Sequence, residues 1–495
     1  MSPPGPRLCA ATLDRVNPAV RRPGYDRRGI GVGLAHLGVG AFHRCHQGEF
    51  TDDALEARGG DWAVVGVNLR APRLAGTLGD QDGLYARRLR DGEGIDDVRI
   101  IGCLREIIDA EDESSAAIAA LADPRIKVVT LTITEKGYCH VPATGALDEA
   151  HPDIVHDRAH PETPRSAPGV LLAALERRWR AGAAGVTLLS CDNIPANGAV
   201  LRGVVRALAQ ARPPALSRWI ATSVSFPSSM VDRIAPATTE ADIEAIAARL
   251  GVDDRACVVG EPFRQWAIED DFVAGRPAWD AAGAQLVGDV TPYERIKMRV
   301  LNGAQTALCT LGALAGLDFT FEDVRHPVLE RFVRAMLEEE TAPTLPAAPG
   351  MEAGPYIDLS LRRLRNSSIR HRNHQIATDG SQKIVQRLLN PLRERLAAGA
   401  PFERLACATA GFIAYGAAAA PRHGARWTPS DPFAATLLEI AETSAGDMNA
   451  LARRALAIEA IFGADLAGAP AVVAAIARHC AGLLSVDPVG YLAGL

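Results

Sequence analysis

The sequence has few lysines, few aromatic residues and no strong excess of either charge. Its 495 residues carry 53 basic and 59 acidic side chains, with a formal net charge of −6 and a pI near 6.1. Proteins that bind nucleic acid or an anionic membrane by charge present a basic patch or a basic overall balance. We therefore expect neither nucleic acid nor a membrane among the partners.

Paired-cysteine motifs and long apolar runs are also absent. The nine cysteines are scattered and include no Cys-x-x-Cys pair, which is typical of a reduced, cytosolic chain. Residues 1–15 hold no apolar core of signal-peptide length. The longest run of small apolar residues, 406–420, is interrupted by Thr409 and Tyr415 and stops at Pro421, which predicts a buried helix. We expect a cytoplasmic protein.

The scarcity of lysine makes each remaining lysine informative. Only four of the basic residues are lysines: Lys127, Lys136, Lys297 and Lys383. A general coding bias toward arginine explains the shortage, and the lysines that remain are then enriched for tasks that arginine cannot perform. Proton transfer is the clearest such task, because a buried ammonium can become neutral and a guanidinium does not.

Strand and helix patterns alternate through the first half of the chain. Near-continuous apolar strands separated by helices indicate a parallel, doubly wound sheet, which is an α/β fold. From about residue 293 onward, long helical patterns rich in alanine, leucine and arginine replace the strands. We predict a sheet domain over 1–288 and a mainly α-helical domain over 289–495. The predicted strands are 31–38, 62–67, 98–101, 127–133, 185–189 and 219–224.

A glycine-rich turn follows the first predicted strand. Gly38 and Gly40 would allow a tight turn and close approach of the backbone to a pyrophosphate at the start of the next helix. The third glycine of the dinucleotide fingerprint is replaced by His43, so the motif is incomplete. The second strand ends without the carboxylate that usually binds the ribose of NAD. Asn68 can bond a ribose hydroxyl and Arg70 can accept a 2′-phosphate, which leaves NAD and NADP both open.

A second candidate site lies on the helix predicted around residues 293–315. In a regular α-helix, Lys297, Gln305 and Asn302 fall at about 0°, 80° and 140° beside an apolar stripe. A lysine in this setting suits a general base, and an asparagine amide suits stabilisation of an oxyanion. The same spacing also fits a surface lysine with an incidental asparagine, so spacing alone does not choose between them.

Eight segments follow one another in order over residues 30–390: HLGVGAFHR (36–44), QDGLY (81–85), TLTITEKGY (130–138), SCDNIPANG (190–198), FPSSMVDRI (226–234), EPFRQWAIED (261–270), KMRVLNGAQ (297–305) and DGSQK (379–383). Together they resemble the polyol-specific long-chain dehydrogenases, a family that includes mannitol 2-dehydrogenase and fructuronate reductase (mannonate oxidoreductase).

The resemblance implies an amino-terminal Rossmann-like, dinucleotide-binding domain, a helical substrate domain and a zinc-independent reaction. It implies that Lys297 is the catalytic base and that Asn193 and Asn302 polarise the reacting oxygen. Asp232, Gln305 and Lys383 correspond to substrate-binding positions. The implied cofactor-binding residues, together with the candidates from the turn and the second strand, are Gly38, Gly40, Phe42, Asn68, Arg70, Thr134, Glu135 and Lys136.

One residue departs from the family signature, in which a lysine, an asparagine and a histidine follow at fixed spacing: Gln305 stands in the histidine position. Gln305 can form a hydrogen bond with a substrate hydroxyl but cannot carry a proton.

We expect an NAD(P)-dependent oxidoreductase, monomeric or homodimeric, that acts on mannitol/fructose or mannonate/fructuronate. The alternative is an impaired family member that serves as a binding or regulatory protein.

Overall fold

The computed structural model describes residues 5–71, 73–111, 113–142, 144–419 and 427–495. The chain forms two compact units. The first runs to Thr291 apart from residues 91–93, and the second comprises those three residues and the chain from Pro292 onward.

The first unit is built around a parallel sheet. The strands of this unit are β1 Val32–Leu37, β2 Ala63–Asn68, β3 Tyr85–Arg90, β4 Asp96–Ile101, β5 Leu104–Asp109, β6 Val128–Leu131, β7 Val186–Ser190, β8 Val224–Ser225, β9 Ser229–Asp232, β10 Val258–Gly260, β11 Gln265–Glu269 and β12 Gln285–Val287. Within the described residues six of them form the parallel sheet, in the order β5-β2-β1-β6-β7-β8, and every neighbouring pair is parallel. The order reverses between β1 and β6, as in doubly wound nucleotide-binding sheets.

Both faces of this sheet are covered, which explains the near-continuous apolar strands. Leu37 and Leu131 belong to one buried cluster, whereas Leu34 and Val128 belong to the cluster on the other face. Alternate residues of one strand point to opposite faces, so a strand buried on both sides needs apolar residues throughout. The α/β fold class is confirmed.

Helices connect the strands of this unit. Their starts carry the expected signals, such as Ser166, whose hydroxyl accepts a hydrogen bond from the Gly169 N–H, and Thr239, which forms a capping box with Asp242. The helices are α1 Ala41–Cys45, α2 Gln47–Arg58, α3 Ser115–Ala122, α4 Pro152–Ala159, α5 Ala167–Arg180, α6 Asn197–Ala209, α7 Pro214–Ser223 and α8 Glu240–Leu250.

Two of the predicted strands need correction. Residues 98–101 are extended, but β4 pairs antiparallel with β3 in a separate small sheet that also contains β10. The prediction of a strand over 219–224 is wrong for most of its length, because α7 continues to Ser223. Leu216 and Ile220 are buried four residues apart, which is helical spacing. A second small sheet in the described part of the chain has the order β12-β11-β9.

The second unit consists mainly of helices, as predicted. π turns interrupt three of its long helical segments, at Met298–Asn302, Met336–Thr341 and Val385–Leu389. The helices are α9 Thr291–Lys297, α10 Gly303–Leu314, α11 Thr320–Arg325, α12 Pro327–Ala335, α13 Ala353–Leu364, α14 Asn373–Ala377, α15 Gly380–Ile384, α16 Asn390–Ala397, α17 Glu403–Ala417, α18 Ala434–Thr443, α19 Met448–Leu456, α20 Glu459–Ala467, α21 Pro470–Leu483 and α22 Pro488–Ala493.

The apolar run around residue 410 forms a buried helix. α17 is buried from Leu405 to Ala417, in agreement with the prediction for 406–420, although residues 420 and 421 lie outside the described residues. Among the helices of the described part of the chain, none has the length and hydropathy needed to span a membrane.

Candidate active site

A cleft opens where the strand order of the parallel sheet reverses. The loops that follow β1, β2 and β6 surround a cavity of about 460 Å³ in the first unit. Ligands of open α/β sheets bind at this position, beyond the carboxyl ends of the strands. Six of the predicted cofactor-binding residues line the cavity: Gly38, Gly40, Asn68, Arg70, Thr134 and Lys136.

Gly38 forms the wall of the cleft in a conformation that favours glycine. Its φ is +94°, and a Cβ there would lie 2.2 Å from the carbonyl oxygen of Thr132. The Gly38 N–H donates to the Val67 carbonyl at 2.8 Å, and the Gly40 N–H donates to the Gly38 carbonyl at 2.7 Å. The turn therefore brings bare backbone to the cleft, which is what close approach of a pyrophosphate requires.

Asn68 is tied into the frame of the cleft. Its Oδ1 accepts a hydrogen bond from the Val39 N–H at 2.8 Å, and its Nδ2 donates to Asp109 Oδ1 at 3.1 Å. Asp109 was not among the predicted site residues, because its carboxylate comes from the end of the neighbouring strand β5. The signal that could have found it is its position as the polar end of an apolar strand.

Arg70 is paired at the edge of the same cleft. Its Nη2 lies 2.7 Å from Asp153 Oδ2, and the Arg70 side chain is 66% exposed. Asp153 stands in the first turn of α4 and also lines the cavity. This carboxylate was not among the predicted site residues, because it lies 83 residues from Arg70 in the chain. The pair places a negative charge beside the arginine that was predicted to accept a 2′-phosphate.

The other two predicted cofactor residues lie off the lining of the cavity. Phe42 is half-buried and stacks on the ring of His46, with 5.1 Å between the centroids. Glu135 is exposed at the start of the turn Glu135–Tyr138. In the same unit, Asn193 is half-buried beyond the end of β7.

Asp232 is buried at the end of β9, opposite Gln265 of β11. The next residue, Arg233, anchors this strand end because its guanidinium pairs with the buried Glu49 and donates to the Phe263 carbonyl at 3.0 Å. Glu49 is surrounded by arginines that include Arg233 and Arg87, and they hold the pKa of its carboxyl at about 2 despite burial. The ion pair of Arg233 with Glu49, together with the pairing of the strands, thus holds the strand end that carries Asp232 in place.

In the second unit, a π turn follows Lys297 and ends at Asn302. Lys297 ends α9, the π turn is Met298–Asn302, and α10 starts at Gly303. An α-helix would place residues five apart about 140° from each other, whereas the wider i→i+5 turn brings such residues closer to one side of the helix. The regular helical placement expected from the sequence is therefore wrong here. Lys297 is 6% exposed, and Asn302 and Gln305 are also buried.

Asn302 and Gln305 interact directly. Asn302 Nδ2 donates to Gln305 Oε1 at 3.4 Å, while Asn302 Oδ1 is buried without a hydrogen-bond partner among the described residues. Because the oxygen and nitrogen of a side-chain amide can exchange places by rotation, the pair can also form with Gln305 as the donor. In that arrangement the Asn302 amino group takes the buried position that has no hydrogen-bond partner among the described residues.

Lys383 is half-buried in the second unit and is directed at backbone oxygens. Its Nζ donates to the carbonyls of Thr378 at 2.5 Å and Ile376 at 3.3 Å. Arg387, one turn later in the π turn Val385–Leu389, donates to Thr306 Oγ1 at 3.1 Å.

In the described part of the chain, no three His, Cys, Asp or Glu side chains are grouped so that they could hold a metal ion.

Family models for both halves of the chain match this sequence. The mannitol dehydrogenase Rossmann domain matches residues 33–281, and the mannitol dehydrogenase C-terminal domain matches residues 289–484. The chain belongs to the mannitol dehydrogenase family. The sequence-based recognition of this family is confirmed.

Named members of the mannitol dehydrogenase family resemble the chain over most of its length. D-mannonate oxidoreductase of Escherichia coli is 42% identical over 408 residues, which cover 82% of this chain and 84% of that protein. Mannitol 2-dehydrogenase of Cereibacter sphaeroides is 39% identical and covers 77% of this chain and 80% of its own length. The solved structure of Pseudomonas fluorescens mannitol 2-dehydrogenase with NAD and D-mannitol has a TM-score of 0.88 and 36% identity, with 99% of each chain covered.

Proposed function

We propose that the chain is an NAD-dependent secondary-alcohol dehydrogenase that interconverts a linear polyol or aldonic acid and its keto form. Mannitol/fructose and mannonate/fructuronate are the proposed substrate pairs. The observation that carries this proposal is the full-length similarity to a mannitol 2-dehydrogenase whose structure holds NAD and D-mannitol. The glycine-lined cleft at the reversal of strand order fits a dinucleotide, because a side chain at Gly38 would collide with Thr132.

The proposed chemistry assigns one task to each site residue. Lys297 is proposed to remove the proton of the reacting hydroxyl, because it is buried in the second unit and an amine, unlike a guanidinium, can act as a proton acceptor. Asn193 and Asn302 donate hydrogen bonds to the oxygen as negative charge develops on it. The nicotinamide, when bound, accepts the hydride from the carbon.

The remaining residues bind the ligands. Asp232, Gln305 and Lys383 are proposed to orient the other groups of the substrate. Gly38, Gly40, Asn68, Arg70, Thr134 and Lys136 are proposed to form the cofactor cleft. Phe42 and Glu135, which do not line the cavity, remain proposed cofactor-binding residues. We assign dinucleotide binding to residues 1–288, in which Asn193 and Asp232 also lie, and the other proposed substrate-binding and catalytic residues to 289–495.

A panel of polyols and sugar acids, each assayed with NAD and with NADP, tests the proposal. We expect the absorbance of reduced cofactor to appear with mannitol or mannonate and NAD. Binding of NAD should be measured in parallel by fluorescence. A protein that binds NAD but turns over no member of the panel would favour the alternative, a binding or regulatory protein.

Metal chelators are expected to leave the activity unchanged. The proposed mechanism uses Lys297 for proton removal and amides for charge stabilisation, so it needs no Lewis acid. Dialysis against a chelator, followed by the assay and by metal analysis, measures this. One metal equivalent per chain, with loss of activity on its removal, would contradict the zinc-independent mechanism.

Replacing Asp153 by asparagine is expected to raise kcat/KM with NADP relative to NAD by about tenfold. The change removes the charge that pairs with Arg70 and leaves the guanidinium available to a 2′-phosphate. Direct binding of both cofactors should show the same shift. The double variant D153N/R70A should lose the gain, and R165A is the control because Arg165 lines the same cavity without being the partner of Asp153.

Replacing Gln305 by histidine tests whether glutamine sets specificity or impairs the enzyme. Activity on mannitol should rise if glutamine is an impairment, and activity on the true substrate should fall several-fold if glutamine is a specificity device. At a saturating concentration of NAD, the pH profile of kcat/KM for the substrate should gain an ionisation in the imidazole range. An unchanged profile and unchanged rates on every substrate would remove residue 305 from the proposed site.

A further inference from the structure

Thr134, on the rim of the cofactor cleft, has a strained backbone. Its φ is +64° and its ψ is 164°, a region of backbone space that is almost confined to glycine. A β-branched residue meets the greatest steric conflict there. Such a conformation persists only when the surrounding structure holds it in place, so the contacts of this turn identify what holds it.

The carboxylate of Asp192 supplies those contacts. Its Oδ1 accepts a hydrogen bond from the Thr134 N–H at 2.8 Å, and its Oδ2 accepts from the Ile133 N–H at 3.0 Å. The Tyr138 hydroxyl donates to the same Oδ2 at 2.7 Å. Asp192 is 8% exposed, and its own carbonyl accepts from Asn197 Nδ2 at 2.9 Å. Hydrogen bonds from three donors therefore converge on one buried carboxylate.

We propose that Asp192 is a positioning residue that holds the strained turn 132–134 in the shape the cofactor cleft needs. Asp192 immediately precedes Asn193, so the same contacts join the cofactor side of the site to one of the proposed catalytic amides. Thr132, Ile133 and Thr134 all line the cavity. The inference rests on the proposed function only in taking that cavity as the cofactor site.

Protonation of Asp192 should release the turn. Burial raises the pKa of Asp192 to about 6, the hydrogen bonds from Tyr138, Ile133 and Thr134 lower it, and the charge of Glu135 raises it. Cys191 is the adjacent titratable group, and burial together with Asp192 raises the pKa of its thiol, which stays protonated. Protonation places a hydrogen on one carboxyl oxygen, where it faces a donor of the turn or of Tyr138 and weakens that hydrogen bond. Affinity for NAD should thus fall as the pH drops from 7 through 6 to 5.

The variant Asp192→Asn tests the proposal because it keeps the shape and removes the charge. Its amino group cannot accept a hydrogen bond, so at least one backbone donor loses its partner. We expect the dissociation constant of NAD to rise about tenfold or more, amide exchange in the 133–134 segment to accelerate by at least as much, and the pH dependence near 6 to vanish.

Rescue by glycine separates a positioning role from a general structural one. Thr134→Gly removes the steric conflict, so D192N/T134G should recover most of the NAD affinity, whereas the matched control D192N/T134A should not. Should D192N fail to fold, T134G alone decides the matter: it should melt at or above the wild-type temperature while T134A gains nothing.

The proposal is overturned if D192N leaves exchange and affinity unchanged, if alanine rescues as well as glycine, or if T134G lowers the melting temperature. Amide exchange is measured without cofactor. A wild-type protein that does not bind NAD would contradict the proposed function, and the exchange and melting data would still decide the role of Asp192.

Discussion

Replacing Lys297 by alanine should lower kcat by about 10²–10⁴-fold, because removal of a general base typically costs that much. Affinity for NAD should change little, since the residues that line the cofactor cleft belong to the first unit and Lys297 belongs to the second. Steady-state kinetics across the pH range, with NAD binding measured directly, provide the test.

Lys297→Arg is the matched control for charge. The guanidinium keeps the positive charge but does not deprotonate, so this variant should be nearly as inactive as the alanine variant. Near-wild-type rates in either variant over the whole pH range would remove Lys297 from the role of base. Activity in the arginine variant alone would show that the site needs a cation and no proton acceptor.

The other three lysines have different surroundings, which strengthens the assignment to Lys297. Lys127 Nζ lies over the ring of Trp62, 4.7 Å from its centroid. Lys136 is exposed on the cofactor cleft, and Lys383 donates to backbone carbonyls. Lys297 alone among the four has less than a tenth of its surface exposed. In a chain that uses arginine almost everywhere else, a buried lysine is most simply explained by a need for an amine that can become neutral.

The parallel sheet could be predicted because its strands are buried on both faces, which leaves a continuous apolar signal. The prediction of a strand over 219–224 was wrong for a related reason. The run from Trp219 to Val224 is apolar enough for a short buried strand, but its first residues complete the buried stripe of α7 that begins at Leu216. A short apolar run is compatible with either a buried strand or part of a helix. Here the residues that precede the run determine that it is helical.

The candidate site was predicted less completely, and the missing parts share a cause. Asp109, Asp153 and Asp192 reach the cleft or its supporting turn through strands and helices that are distant in the chain. No spacing in the sequence relates them to Gly38 or Arg70. The π turn at Met298–Asn302 was missed because its apolar residues also fit a regular helix. The turn is recognised only from the backbone hydrogen bonds of the folded chain.

Replacing Asn302 by alanine should lower kcat/KM by about 10²–10³-fold, the usual effect of removing one donor to an oxyanion. Asn302→Asp is the sharper test, because it keeps the size of the side chain, removes the donor and places a negative charge beside the developing alkoxide. We expect it to be at least as damaging, with NAD affinity unchanged. If the aspartate variant retained wild-type kcat/KM, the amide would not face the reacting oxygen, and the π turn would then position Lys297 alone.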